Sequence, residues 1–166
     1  MRNEDRVRVL VVDDHVGIRF GITCLIDAEK PRMCCVGTAG TALEALERTQ
    51  ELQPHVVVLD VDLDGVDGLA LIPRLHQAAA CSVVVLTSLA DEHVAAHALH
   101  QGAHACLHKT APAAALVAAI FEARSARHRH PVATRSNAGG NLSHADGTNH
   151  PWQAGTSADA PEQGAA

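Results

Sequence analysis

Apolar positions along this chain alternate between two spacings. Unbroken apolar runs, rich in Val and Leu, recur as "VRVLVV" (7–12), "MCCVG" (33–37), "HVVVLD" (55–60), "SVVVLT" (82–87) and "ACLHK" (105–109). Their length and β-branched content predict buried strands. The segments between them have helical length and period. In the first, Ile18, Ile22, Leu25 and Ile26 share one face. The second opens with Thr41 and Glu44 at the spacing of a capping box, and so does the fourth with Ser88 and Asp91. The third runs from about Gly68 to His76, with Pro73 inside it as a kinking residue. The fourth ends at Gly102, a natural C-cap. The fifth, Pro112 to Arg124, follows Thr110 as its N-cap.

Strands that are apolar on both faces must be covered on both faces. Five βα units of this kind predict an α/β fold, a doubly wound five-stranded parallel sheet between layers of helices. The pattern stops near Arg124. In the remaining stretch Val132, Leu142 and Trp152 are the only large apolar residues, among Ala, Gly, Ser, Asn, Thr and His. Such a segment buries too little to offset its ordering entropy. The expected organisation is a folded domain over 1–123 and a disordered tail over 124–166.

Charge narrows the function. Residues 1–123 carry sixteen acidic and nine basic side chains, while 124–166 carry three acids and four arginines. An acidic folded part argues against direct DNA binding, which needs a basic face to displace counterions. With Phe20, Phe121 and Trp152 as the only aromatics, base stacking is excluded as a binding mode. Five cysteines without a CxxC pair, no signal-like N-terminal run and no membrane-length stretch predict a reduced, cytoplasmic protein with no membrane partner.

The candidate chemistry lies in "VVVLDVDLDGVDG" (56–68), where Asp60, Asp62, Asp64 and Asp67 crowd together. The D-x-D-x-D-G spacing opens like an EF-hand loop, but its twelfth position is Leu71 instead of Glu, and a strand precedes it instead of a helix. The strand ends give a better reading, because sites in open α/β sheets form at the carboxyl ends of the strands. There the chain places Asp13 and Asp14 after the first strand, Asp60 after the third, Thr87 at the end of the fourth and Lys109 at the end of the fifth. Clustered carboxylates repel unless a cation joins them, and an all-oxygen site with room for water suits Mg²⁺. Lys109 and Thr87 are then left for the oxygens of a phosphoryl group. Asp64-Gly65 suits a turn, and Asp67 a cap on the third helix.

These motifs, in this order, resemble the receiver domain of two-component response regulators, particularly the NarL/FixJ/LuxR-type branch whose receivers begin "VDDH". The resemblance covers about residues 6 to 123. It implies flavodoxin-like strand order 2-1-3-4-5 and a phosphoacceptor at Asp60, which would attack the phosphohistidine of a sensor histidine kinase or phosphotransfer protein. It implies Mg²⁺ held by Asp14 directly, Asp13 partly through water, Asp60, and the main-chain carbonyl of Asp62. Lys109 would pair with the phosphoryl oxygens, and the Thr87 hydroxyl would swing in to bond one of them. The Asp62 side chain would sit where an attacking water approaches. It implies enzymatic activity limited to self-phosphorylation and slow self-dephosphorylation. The kinase would dock on the first helix, near His15 to Ile26. An unidentified target would bind the fourth helix, fifth strand and fifth helix, and the first and fifth helices are available for a homodimer.

Three positions depart from the family's pattern. Cys106 stands where such receivers usually carry the switch Tyr or Phe, Thr110 where many have a cis proline after the lysine, and Asp64 where many have proline. The helix-turn-helix usual for this branch has no counterpart in the pattern after residue 123. The expected function is therefore a stand-alone receiver that switches protein–protein contacts. The alternative is a truncated or partner-dependent transcription regulator acting on DNA. A weaker rival, a metal-binding protein, would use the aspartates or His93, His97 and His100 on the fourth helix, where an exposed, merely His-rich face is the simpler reading.

Overall fold

In a computed structural model of the chain, residues 6–88 and 91–129 are described. The five main strands are β1 (Val7–Val12), β2 (Met33–Ala39), β3 (Val56–Leu59), β4 (Ser82–Thr87) and β5 (Ala105–His108). They form one sheet in the order β2-β1-β3-β4-β5, every neighbouring pair parallel. The helices between them are α1 (Val16–Ala28), α2 (Ala42–Leu52), α3 (Ile72–Ala78), α4 (Glu92–His100) and α5 (Ala113–Arg129). The expected architecture and strand order are both present.

Strand parity explains the unbroken apolar runs. Leu10, Val12, Val57, Leu59, Val83 and Val85 point to one side of the sheet, against Ala45 of α2, Ile72 and Leu75 of α3, and Ala98 of α4. Val9, Val11, Val56, Val58, Val84 and Leu86 point to the other, against Ile22 and Ile26 of α1 and Leu116, Ile120 and Ala123 of α5. Each strand residue is thus buried whichever way it faces, which is what a sheet covered on both faces requires. Ile18 and Leu25 pack at the margin of the second cluster, as the α1 periodicity predicts.

Several element ends differ from expectation, each for a local reason. β2 continues two residues past Gly37, to Ala39, because it keeps pairing with Val11 and Val12. Pro73 does not kink a helix: residues Gly68–Leu71 are a 3-10 turn, and Pro73 lies in the first turn of α3, where its missing N–H costs nothing. The cap of α4 is Asp91, whose carboxylate accepts from the Val94 N–H at 2.8 Å, so the Ser88 capping box does not form. Thr110 does not cap α5, which starts three residues later; its N–H is given to His108 Nδ1 instead. α5 runs to Arg129, five residues past the expected end. The Arg127 guanidinium donates to the Cys81 carbonyl at 2.7 Å, and Ser82 Oγ donates to that of Ala123 at 3.0 Å, holding the extra turn against β4. The tail expected to be disordered lies, from residue 130 on, outside the described residues.

α1 is tied to β2 by Asp27, whose carboxylate accepts from the Cys35 N–H at 3.1 Å and from Lys30 Nζ at 3.0 Å. The Cys35 bond, with Lys30, holds the carboxyl below its ordinary pKa. A depressed folded pKa means stability that is present at neutral pH and lost as pH falls through the folded value. Asp27→Ala should therefore cost about 1 kcal/mol at pH 7 in urea unfolding. The gap to the parent should close below the ordinary aspartate range.

Candidate functional site

The sheet delivers the site residues as direct continuations of its strands. The Asp13 N–H donates to the Ala39 carbonyl at 3.2 Å, the Asp60 N–H to that of Val12 at 2.9 Å, and the Lys109 N–H to that of Thr87 at 2.9 Å. Each residue just past a strand end is thus fixed by its neighbouring strand, on the edge where β1, β3, β4 and β5 all terminate. Asp13, Asp60 and Thr87 are buried there, at 2%, 5% and 2% exposure. Asp14 is partly exposed at the rim.

Lys109 is the local counter-charge. Its ammonium lies 2.5 Å from Asp60 Oδ2 and 2.7 Å from Asp13 Oδ2. Burial lowers the Lys109 pKa, but the bonds to the two carboxylates outweigh it and hold the amine protonated. For Asp60, burial dominates and pushes the carboxyl up; Lys109 pulls it back only in part, and the charge of Asp13 adds to the rise. Asp14 behaves oppositely. Burial pushes it up, yet the hydrogen bond and charge of His15, with the Asp64 N–H, take it below its ordinary value.

Of the predicted site residues, Asp13, Asp14 and Asp60 come together, joined by His15: one donor atom from each lies within 4.8 Å of all the others. This donor set fits a hard divalent cation, since three of its four members are carboxylates and two of them are buried. His93, His97 and His100 form no comparable group among the described residues. Asp62 is exposed and outside this group, and its carboxylate accepts from the Gly65 N–H at 2.9 Å. Asp62–Leu63 pairs antiparallel with Val66–Asp67, across a turn in which Asp64 and Gly65 have φ of 55° and 80°. Asp67 caps the following 3-10 turn through the Leu69 N–H at 2.9 Å. Both expectations for that loop are met. Cys106 is partly buried, packed at the edge of the first core cluster.

Three participants escaped the sequence reading. His15 gives its N–H to Asp13 Oδ1 at 2.8 Å and places Nδ1 2.5 Å from Asp14 Oδ1. Its only signal was adjacency to the acidic pair. Arg19, one turn into α1, donates to the Asp13 carbonyl at 2.5 Å. Gly68 passes so close to the loop that a Cβ built on it would lie 2.1 Å from the Asp60 carbonyl oxygen. The sequence marked it only as the glycine that opens the third helical segment.

Comparison with known proteins agrees with this geometry. Residues 9–121 match the model of the response regulator receiver domain. A protein-glutamate methylesterase/protein-glutamine glutaminase of Syntrophomonas wolfei is 39% identical over 87 residues, 52% of this chain and 24% of that protein. The transcriptional regulatory protein LiaR of Bacillus subtilis is 30% identical over 115 residues, 69% of this chain and 54% of its own. The chain thus spans about a quarter of the first relative and about half of the second. Among solved structures, the signal receiver domain of the putative response regulator NarL from Mycobacterium tuberculosis superposes with a TM-score of 0.68 at 27% identity, covering 74% of this chain and 99% of that one. The sheet order, the acidic strand ends and the match over residues 9–121 together place the chain in the response regulator receiver domain family.

Proposed function

We propose that this receiver is a phosphorelay switch that takes a phosphoryl group onto Asp60 from a sensor histidine kinase or phosphotransfer protein. The observation that carries the reading is the buried Asp60 carboxylate, set between Asp13, Asp14 and an ammonium 2.5 Å away. In the reaction a carboxylate oxygen of Asp60 attacks phosphorus, a P–O bond forms, and the P–N bond of the phosphohistidine breaks with its electron pair returning to the imidazole. Asp13, Asp14 and Asp60, with the main-chain carbonyl of Asp62, are the groups that would hold Mg²⁺. A divalent cation bound there offsets the charge between an anionic nucleophile and an anionic phosphoryl group. Lys109 then exchanges its carboxylate partners for a phosphoryl oxygen, and the Thr87 hydroxyl donates to another.

Val16 and Phe20 on α1 are 70% and 71% exposed, which suits that helix as the kinase-docking surface. On α4, Leu99 is half exposed and suits the output face. A switch acting through protein contacts in the cytoplasm is the reading we adopt, with α1 and α5 available for a homodimer. No described helix is long and apolar enough to cross a membrane. The second reading, a transcription regulator acting on DNA, draws on the likeness to LiaR. A mobility-shift assay decides it: sequence-specific binding that persists at physiological salt would favour it over ours.

The direct test is incubation with Mg²⁺ and acetyl phosphate, read by intact mass. One phosphoryl adduct per chain is expected, and its absence would overturn the switch. Metal binding has a separate readout in thermal unfolding. Mg²⁺ at ten times its Kd should stabilise the protein by about 1.4 kcal/mol, a rise of several degrees that EDTA reverses. Asp14→Asn should lose most of that rise. The effect should also shrink in acid, because the raised pKa of Asp60 keeps it protonated further above the usual carboxylate range.

A further inference from the structure

Cys106 leaves this receiver without the aromatic side chain that its family resemblance leads one to expect at the switch, yet the strand next to Thr87 carries another candidate. In the β4–β5 register, His108 sits directly opposite Thr87. Its ring reaches across the strand end to the chain beyond: Nε2 lies 3.0 Å from the Ser88 carbonyl oxygen. On the other side of the ring, Nδ1 receives the Thr110 N–H at 3.1 Å and lies 2.6 Å from Thr110 Oγ1.

These partners assign the tautomer. A backbone N–H can only donate, so Nδ1 is the acceptor and carries no proton. Nε2 therefore holds the ring hydrogen and donates it to Ser88, whose carbonyl can only accept. The ring is fastened at one end to the backbone that follows Lys109, and at the other to the first peptide beyond Thr87. The main chain reinforces the arrangement, since the Lys109 N–H donates to the Thr87 carbonyl at 2.9 Å. Two consecutive carbonyls, of Thr87 and Ser88, are thus held by Lys109, just past β5, and by His108 at its end, and Lys109 places its ammonium on Asp60.

We propose that His108 is the positioning residue that couples the Asp60 site to Ser88, the first residue past β4, and through it to the start of α4. The coupling rests on Asp60 as phosphoacceptor, whereas the grip of His108 on Ser88 does not. When the Thr87 hydroxyl moves toward a phosphoryl oxygen, the Thr87–Ser88 peptide turns with it. The Ser88 carbonyl then leaves His108, and the start of α4 is released from β5. While Asp60 is unmodified, the ring holds the Ser88 carbonyl in place.

The test compares the parent with His108→Leu, which removes the donor, and His108→Gln, whose amide nitrogen reaches as far as Nε2. The readout is amide hydrogen exchange at Ser88 and in the first turn of α4, by NMR at pH 8, before and after Mg²⁺ with acetyl phosphate. Without phosphodonor, exchange there should be about fivefold faster in His108→Leu, the worth of one net hydrogen bond, and largely restored in His108→Gln. Exchange elsewhere in the sheet should not change, and the imidazole ¹⁵N shifts of the parent should report the Nε2–H tautomer. Equal exchange in parent and His108→Leu, or the other tautomer, overturns the grip. With phosphodonor, the same amides should speed up in the parent and change little in His108→Leu, although intact mass shows both modified. An equal response in both modified proteins overturns the coupling. If the parent gains no adduct, the acceptor assignment and the coupling fall together, while the unmodified arm still decides whether His108 holds Ser88.

Discussion

Asp60→Ala should return an unmodified mass after incubation with Mg²⁺ and acetyl phosphate, whereas Asp62→Ala and Asp64→Ala should still gain the adduct. The three carboxylates lie within five residues of one another in sequence but in different surroundings. Asp60 is buried at the end of β3, where Lys109 reaches it and burial pushes its pKa up. Asp62 and Asp64 belong to the exposed two-stranded hairpin beyond it, and the Asp62 carboxylate is already committed to the Gly65 N–H. Neither belongs to the group of donors around Asp13 and Asp14. A covalent phosphoryl group needs its nucleophile inside that group, so the loss in Asp60→Ala should be complete, not graded. Asp60→Ala should remain folded, since Lys109 keeps its bond to Asp13 at 2.7 Å; circular dichroism checks this. An adduct on Asp60→Ala would move the acceptor elsewhere and remove the basis of the proposed switch.

Gly68→Ala should be the most damaging single methyl group near the site. The added Cβ would lie 2.1 Å from the Asp60 carbonyl oxygen and 2.9 Å from that of Val61, and both obstacles are backbone. No side chain can rotate away. The Gly68 N–H also donates to the Val61 carbonyl at 2.6 Å, so separating the strands of the loop breaks a hydrogen bond as well. An overpacked core methyl costs about 1–3 kcal/mol where neighbours can adjust, and here we expect at least about 3 kcal/mol. That corresponds to roughly 10 °C in Tm for a domain of this size. Gly65→Ala is the internal control. Gly65 has φ of 80° but open space around its α-carbon, so its cost is conformational, about 1 kcal/mol. Because Gly68 presses on the peptide that carries Asp60, Gly68→Ala should also slow phosphoryl uptake, and Gly65→Ala should not. Equal Tm losses in the two variants would show that the loop yields more easily than its backbone contacts imply.

Legibility varied with the range of the interaction that decides each feature. The five strands were readable because a run such as "VVVL" at 56–59 is buried on both faces, and burial on both faces leaves a local imprint in composition. The Thr41 cap and the Asp64-Gly65 turn were readable for the same reason: each is settled within four residues. The start of α4 was not, since Ser88 and Asp91 both offer a capping oxygen and only the path of the chain selects Asp91. Nor was the end of α5, whose last turn is held by a carbonyl 46 residues away.

The fold class, the five strands of the main sheet and the set of chemically capable residues at their carboxyl ends were already written in the sequence, because period and residue type are local properties, whereas the two-stranded pair at 62–67 was not. The resemblance added the strand order and the roles expected of those residues. Which of these residues meet depends on the assembled sheet. The parallel register carries Lys109 across 49 residues onto Asp60 and onto Asp13 as well. The packing of the 62–67 hairpin presses Gly68 onto the Asp60 peptide. The pairing of Thr87 with His108 lets an imidazole hold the Ser88 carbonyl. Each of these depends on strands distant in sequence being brought side by side, and no local pattern records which atoms then fall within hydrogen-bonding reach.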